Sequence, residues 1–339
     1  MTGDGGTDAD VDADAGTDAD VDADAGTDAD VDADAGTDAD RDADRAVDVV
    51  VVGGGPTGSA AAVFTARYGL DTVVFDRGPA ALPRCAYLEN YLGFPAGIDV
   101  ETFSDLLSAH VADAGADLVS DMVESVRHTD GDDARFVVET QEGRSVAARF
   151  VVAAAWYDGS YLRPVVGDDP FERHEHDGDV HEHFDGEYAD ADGGTPVDGL
   201  FVAAPAGERS AQAVVAAGNG AHVARGLIAD HRRDQGYPDG VAPHYDWLRS
   251  EAEFAGDWSD RDRWRDWYDD EAGDDHGLDD ERYVELRERY IDRAFDTRVT
   301  DEEADARSER GLRRLVDTLG TERVLDVVGD DAIREYLAD

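Results

Sequence analysis

The chain has 339 residues, 41% of them apolar, enough to bury one or two ordinary cores. Its charge is unusual: 81 acidic residues against 30 basic ones give a formal net charge of −51, and every basic residue is Arg. So acidic a surface repels phosphate backbones and lipid headgroups, and no stretch nears the roughly 20 apolar residues of a membrane span, which excludes nucleic acid and membrane as expected partners.

Residues 7–45 repeat TDADVDADAG with no apolar stripe at helical or strand spacing, so 1–45 is predicted to be a disordered acidic tail. Its DxDxD runs lack the sixth-position Gly and distal Glu of a calcium loop, which points to loose ion association rather than a metal site. The first 45 residues hold 17 Asp and 2 Arg, leaving −36 on the rest. At 0.15 M salt the Debye length is about 8 Å and such charge opposes compaction; molar salt shortens it to about 3 Å. We therefore read a protein adapted to a salt-filled cytoplasm. The start has neither a basic n-region nor an apolar h-region, consistent with that location.

From residue 47 the pattern turns globular. A β-branched run at 47–52 predicts a buried parallel strand, followed by a Gly-rich turn, a small-residue helix over 59–68 and a second strand at 72–75. A helix is expected over 97–115, a strand over 117–127, and a hairpin from 135–140 and 145–152. Residues 167–198 are polar and His-rich and read as a surface loop. A short strand at 200–204 and an Ala/Val-rich helix over 211–228 follow, the helix suited only to packing on a sheet. Residues 236–339 read as a small helical subdomain, with Thr300 and Glu303 as a capping box and Gly320 as a stop. The expected fold is α/β, a Rossmann-like domain with a parallel sheet over 46–235, plus this helical extension.

Gly53, Gly55 and Gly58 form G-x-G-x-x-G between the first strand and its helix, and Asp76 ends the second strand 18 residues after Gly58. Gly53 makes the tight turn, Gly55 lets backbone approach a pyrophosphate, and Gly58 allows close helix–strand packing; the helix N-terminus then faces the phosphates. Gly53, Gly55, Pro56 and Gly58 are the candidate loop residues. Asp76 is placed to accept from a ribose, and an acid there disfavours a 2′-phosphate, leaving FAD or NAD.

VVVVGGGPTGSAAA with VVFDR resembles the FAD-binding start of the thioredoxin-reductase-like flavoproteins, and ENYLGFPAGID at 89–99 is similar to that family's segment beside the isoalloxazine. GLFVAA at 199–204 with QAVVAAGNGAHVA at 212–224 resembles its closing FAD element. The resemblance implies FAD as cofactor, Asn90 at the flavin side, and the backbone of Gln212 and Ala213 facing flavin N1 and O2, where a positive helix end favours negative charge. Two departures stand out. The family's Gly-Asp aligns with Ala204-Pro205 and its Ala-Thr-Gly with Ala153-Ala154-Ala155. The family's nicotinamide domain and Cys pair would lie between Ala155 and Leu200, a span too short for the roughly 100 residues of such a domain.

Cys85 is the single cysteine, so no CxxC is present. It lies roughly where related flavoproteins place a redox cysteine, beside Arg84, although a free Cys is more often a small packing residue. His174, His176, His181 and His183 make a set able to gather around a metal, read here as a solvated loop. Trp247, Trp258, Trp264 and Trp267 read as the core of the helical unit rather than a flavin cover. Two functions are expected: an FAD-dependent oxidoreductase drawing electrons from a separate donor or a small substrate, or a non-catalytic nucleotide-binding scaffold. The helical extension is the expected contact for a homodimer or a partner protein.

Overall fold

The computed structural model describes residues 46–78, 81–129, 134–155, 159–176, 179–205 and 211–338, with the side chains of 174–181 left aside. The acidic repeat lies outside the described residues.

Strand β1 (Ala46–Val52) is β-branched and buried on both faces, with Val49, Val50 and Val51 fully enclosed, as a central parallel strand requires. It pairs in parallel with β2 (Thr72–Phe75) on one side and β6 (Ser145–Ala153) on the other. The short β3 (Asp117–Val119) extends the parallel order beyond β2. On its far edge β6 is shared: residues 145–148 pair antiparallel with β5 (Phe136–Thr140), and 151–153 pair parallel with β9 (Leu200–Val202). β4 (Val123–His128) closes the meander against β5, giving the order β3-β2-β1-β6-β5-β4 with β9 beside β6. Helices α1 (Pro56–Tyr68) and α4 (Ala213–Asp234) cover one face through Ala61, Ala62, Ala224, Leu227 and Ile228. The opposite face packs with the meander residues Val126, Phe136 and Val138 and with Tyr161 and Leu162.

Several boundaries differ from the sequence reading. α1 begins at Pro56 rather than 59, because a proline at the first helical position has its φ preset. The strand expected over 117–127 is two strands, β3 and β4. Between them buried Asp121 accepts from the amides of Met122 and Glu142 and from Arg144, which turns the chain out of the sheet. Asp99 caps the helix expected over 97–115, so α2 is Val100–Asp113. The polar segment 167–198 is not a featureless loop: Phe171–His176 (β7) and Asp179–Phe184 (β8) form an antiparallel hairpin preceded by the short helix α3 (Arg163–Val166). Phe171 and Phe184 meet edge to face and supply the apolar anchor that the His pattern concealed. α4 runs on to Asp234, since His231 and Arg232 near its end are buried rather than solvated.

In the extension, α5 (Arg261–Ala272) and α6 (Asp280–Asp296) pack through Tyr268, Leu286, Trp264 and Ile291. Trp258, Trp264 and Trp267 belong to this core as expected; Trp247 does not, being 59% exposed and stacked on Tyr245. The extension grips α1 and α4 through cations on rings and carbonyls. Arg293 stacks 3.9 Å from the Tyr68 ring centre and donates to its backbone oxygen, while buried Arg232 donates to Val241 and lies 4.1 Å from the Tyr237 ring centre. Beyond α6, α7 (Asp301–Leu319) starts at the Thr300–Glu303 capping box, followed by α8 (Thr321–Val328) and α9 (Asp330–Tyr336).

Candidate dinucleotide site

The site lies at the carboxyl ends of β1, β6 and β9, where an open parallel sheet presents its loops. The chain leaves β1 at Gly53, whose φ of +102° is left-handed and whose amide donates to the Phe75 oxygen at 2.8 Å. A Cβ on Gly53 would sit 2.9 Å from the Ala155 backbone, so the small residues after β6 form a floor beneath the turn. A Cβ on Gly58 would meet the Gly53 oxygen at 1.8 Å: this glycine exists to let α1 seat on the turn. Gly55 is different. It N-caps α1, and its Cβ direction has nothing within 4 Å, so the backbone there faces open space.

No side chain caps the α1 N-terminus, Pro56 occupies its first position, and Ser59 donates to the Gly54 oxygen instead. The first-turn amides therefore remain available to an anion. Asp76, half-buried at the end of β2, packs its carboxylate against Gly54, where a Cβ would come within 2.8 Å. Among the described residues that carboxylate has no hydrogen-bond partner. A free acceptor beside an uncapped helix start is the arrangement a ribose and pyrophosphate would fill.

The second half is built by α4. Its N-cap, Gln212, makes no side-chain cap but accepts from Asn90 Nδ2 at 2.7 Å, and Ala213 packs against the cluster of Leu88, Ile98 and Phe103. An antiparallel bridge between Leu88 and Ile98 shapes the segment that carries Asn90. Two residues the sequence reading passed over lock the halves together. A Cβ on Gly220 would strike the Thr57 oxygen at 1.9 Å, so α4 crosses the first turn of α1 backbone to backbone, and buried Asn219 donates to the Ala203 oxygen at 2.7 Å. The G-N-G of residues 218–220 was the visible signal, since a glycine inside a long helix usually marks close approach.

The structure thus brings together Gly53, Gly55, Pro56, Gly58 and Asp76 at one helix start, Asn90, Gln212 and Ala213 at another, and the two helices to each other. It does not join Cys85 to them by any contact among the described residues; the thiol is exposed, one residue past the short turn Leu82–Arg84. The side chains of His174, His176 and His181 lie outside the described residues. Among the described residues no His, Cys, Asp and Glu group is arranged to hold a metal, and no helix is long and apolar enough to cross a membrane.

Between β6 and β9 the described residues form only α3, the β7–β8 hairpin and turns. The FAD binding domain family matches residues 46–91, the span that holds the glycine turn, α1, Asp76 and Asn90. The bifunctional thioredoxin reductase/thioredoxin of Mycobacterium leprae is 34% identical over 118 residues, covering 34% of this chain and 25% of that protein. The thioredoxin reductase of Streptomyces clavuligerus is 37% identical over 82 residues, 23% of this chain and 26% of that one. That of Aquifex aeolicus is 31% identical over 113 residues, 33% and 34% of the two chains. A solved thioredoxin reductase from Gloeobacter violaceus aligns at 17% identity with a TM-score of 0.44, over 60% of this chain and 98% of that one. The matched segments span a quarter to a third of these curated relatives. Over these segments the chain is similar to thioredoxin reductases, and over residues 46–91 to the FAD binding domain family.

Proposed function

We infer that the chain is an FAD-dependent oxidoreductase that works without a dithiol or nicotinamide domain of its own and takes electrons from a separate donor or a small substrate. One observation carries this reading: α4, whose own N-terminus has no side-chain cap, crosses the uncapped start of α1 backbone to backbone at Gly220 and Thr57, beside an Asp76 carboxylate that has no hydrogen-bond partner among the described residues. The loop at residues 53–58 and the α1 amides would hold the pyrophosphate, and Asp76 would accept from the adenosine ribose. Asn90 and the first turn of α4 would line the flavin, and the positive end of that 22-residue helix favours negative charge on the ring portion it faces. When bound, FAD would supply a two-electron acceptor. Ala204-Pro205 stand where the resemblance places an acid, so in this reading the described charged and dipolar contacts to FAD come from Asp76 and the two helix ends.

The purified protein in molar salt should carry the visible absorption of oxidised flavin, which bleaches readily with dithionite. NADPH alone should bleach it slowly, because an unanchored nicotinamide forgoes an effective molarity that reaches about 10⁵ M in well-oriented systems. Saturable, rapid bleaching by NADPH would overturn the reading of the electron route. A bound flavin that dithionite cannot reduce would favour the scaffold reading instead.

A further inference from the structure

Among the described residues two charged side chains are buried, Asp121 and Arg232, and their surroundings differ. Asp121 receives Arg144 at 2.7 Å. Arg232, 1% exposed near the end of α4, has no carboxylate oxygen within 4 Å among the described residues. The acids nearest to it in the chain are committed elsewhere, Asp230 to Arg233 and Asp234 to Arg135 and Arg149. Arg293 likewise has no such partner, so two guanidinium groups share one tyrosine: Arg293 lies over the Tyr68 ring, and Arg232 Nη1 donates to the Tyr68 hydroxyl at 3.5 Å. A guanidinium cannot shed its proton, and a charge taken out of water without an opposite charge is strongly unfavourable. The rings of Tyr237 and Tyr290, 4.1 and 5.3 Å from Arg232, offset part of that cost but carry no net charge.

The unpartnered donors indicate what completes the site. Both Nη nitrogens of Arg232 are engaged, Nη2 with the Val241 oxygen at 2.9 Å, while Nε is buried without a partner. The hydroxyl of Tyr268, a fully buried residue of α5, also has none. Both groups stand against the same ring of α6, with the Arg232 guanidinium 5.3 Å and the Tyr268 ring 5.5 Å from the centre of Tyr290. A neutral acceptor would satisfy these donors and leave the charge, whereas an anion does both. With Nε alone unpartnered, the two-pronged grip that suits carboxylate or phosphate is lost, and a one-atom anion fits the remaining chemistry.

We propose that Arg232 Nε and the Tyr268 hydroxyl bind a halide ion, chloride or bromide, which joins α4 to helices α5 and α6 of the extension. The fold then has a specific halide requirement in addition to general screening of its net charge. Crystals grown in molar KBr should show an anomalous peak at the bromine edge beside Arg232 Nε and Tyr268 Oη. In solution, exchanging glutamate for chloride at constant molar potassium should raise the wild-type unfolding midpoint in a saturable way relative to Arg232→Met, a comparison that cancels general salt effects. Tyr268→Phe keeps the charge and removes one donor, so half-saturation should move to about tenfold higher chloride. If Arg232→Met does not fold, the bromide peak and the Tyr268→Phe titration decide. Bromide ordered only at the surface, or density without anomalous signal beside Nε, as a water would give, would overturn the proposal. So would the same chloride dependence in wild type and Tyr268→Phe.

Discussion

Gly55 and Gly58 lie three residues apart in one turn, and the structure assigns them opposite burdens. In Gly58→Ala the new methyl would fall 1.8 Å from the Gly53 oxygen and 2.9 Å from its carbonyl carbon. Both are backbone atoms, so no rotamer change relieves the clash. The turn and α1 must part by more than an ångström, although Ala61 and Ala62 on that helix are fully buried. Overpacking of this kind costs about 1–3 kcal/mol or more, a large fraction of the roughly 5–15 kcal/mol that holds a domain folded. In Gly55→Ala the methyl meets nothing within 4 Å, and the extended backbone (φ −66°, ψ −175°) suits any residue. Its fold should lose at most about 1 kcal/mol, from a poorer helix cap. Flavin retention should fall in both, in Gly58→Ala through the fold and in Gly55→Ala because the methyl occupies the space where backbone would approach the pyrophosphate. Urea unfolding in molar salt, read beside flavin content, separates the two. A Gly58→Ala protein as stable as wild type, or a Gly55→Ala protein that unfolds as it loses flavin, would refute the assignment.

Asp76→Ala removes the free carboxylate and should weaken FAD binding by about 1.5–3 kcal/mol, or roughly 10- to 100-fold, with little change in fold; titration of the deflavinated protein gives the constant, and unchanged affinity would make the acid a bystander. Because −36 of net charge lies outside the tail, circular dichroism across a salt series should show the structure lost in dilute buffer and kept in molar salt. His244, packed edge to face on Tyr68, is held at a pKa of about 4, below its ordinary 6.5, by burial first and then by Arg293 and Arg232. The unfolded chain therefore binds the extra proton first: this contribution to stability is complete above about pH 6.5 and is lost as pH falls toward 4. The urea midpoint should drop over that window and drop less in His244→Gln; equal slopes in the two proteins would remove His244 from the account.

The local signals in this sequence are strong where a segment's own residues decide its structure. The β-branched run of β1, the glycine turn, the acid after β2 and the Thr300–Glu303 box each follow from backbone freedom, strand burial or capping within a few residues, and the structure shows all of them. What a residue meets across the fold was not legible in the same way. Asp121 looks like any acid until its oxygens take the amides and guanidinium that split the expected strand in two. The hairpin strands at 171–176 and 179–184 pair along their backbones and are anchored by Phe171 and Phe184, contacts across the fold that the polar pattern did not show. Gly220 and Asn219, far beyond the turn in sequence, position the second helix; the G-N-G marks a close approach, but not that its partners are Thr57 and Ala203. A dinucleotide loop can thus be recognised from one short stretch, because its chemistry is carried by backbone conformation. The residues of the second half, Asn90, Gln212 and Ala213, were named by resemblance, but their placement beside the first half required the tertiary structure, because it depends on two helices separated in sequence coming close enough for a single Cβ to keep them apart.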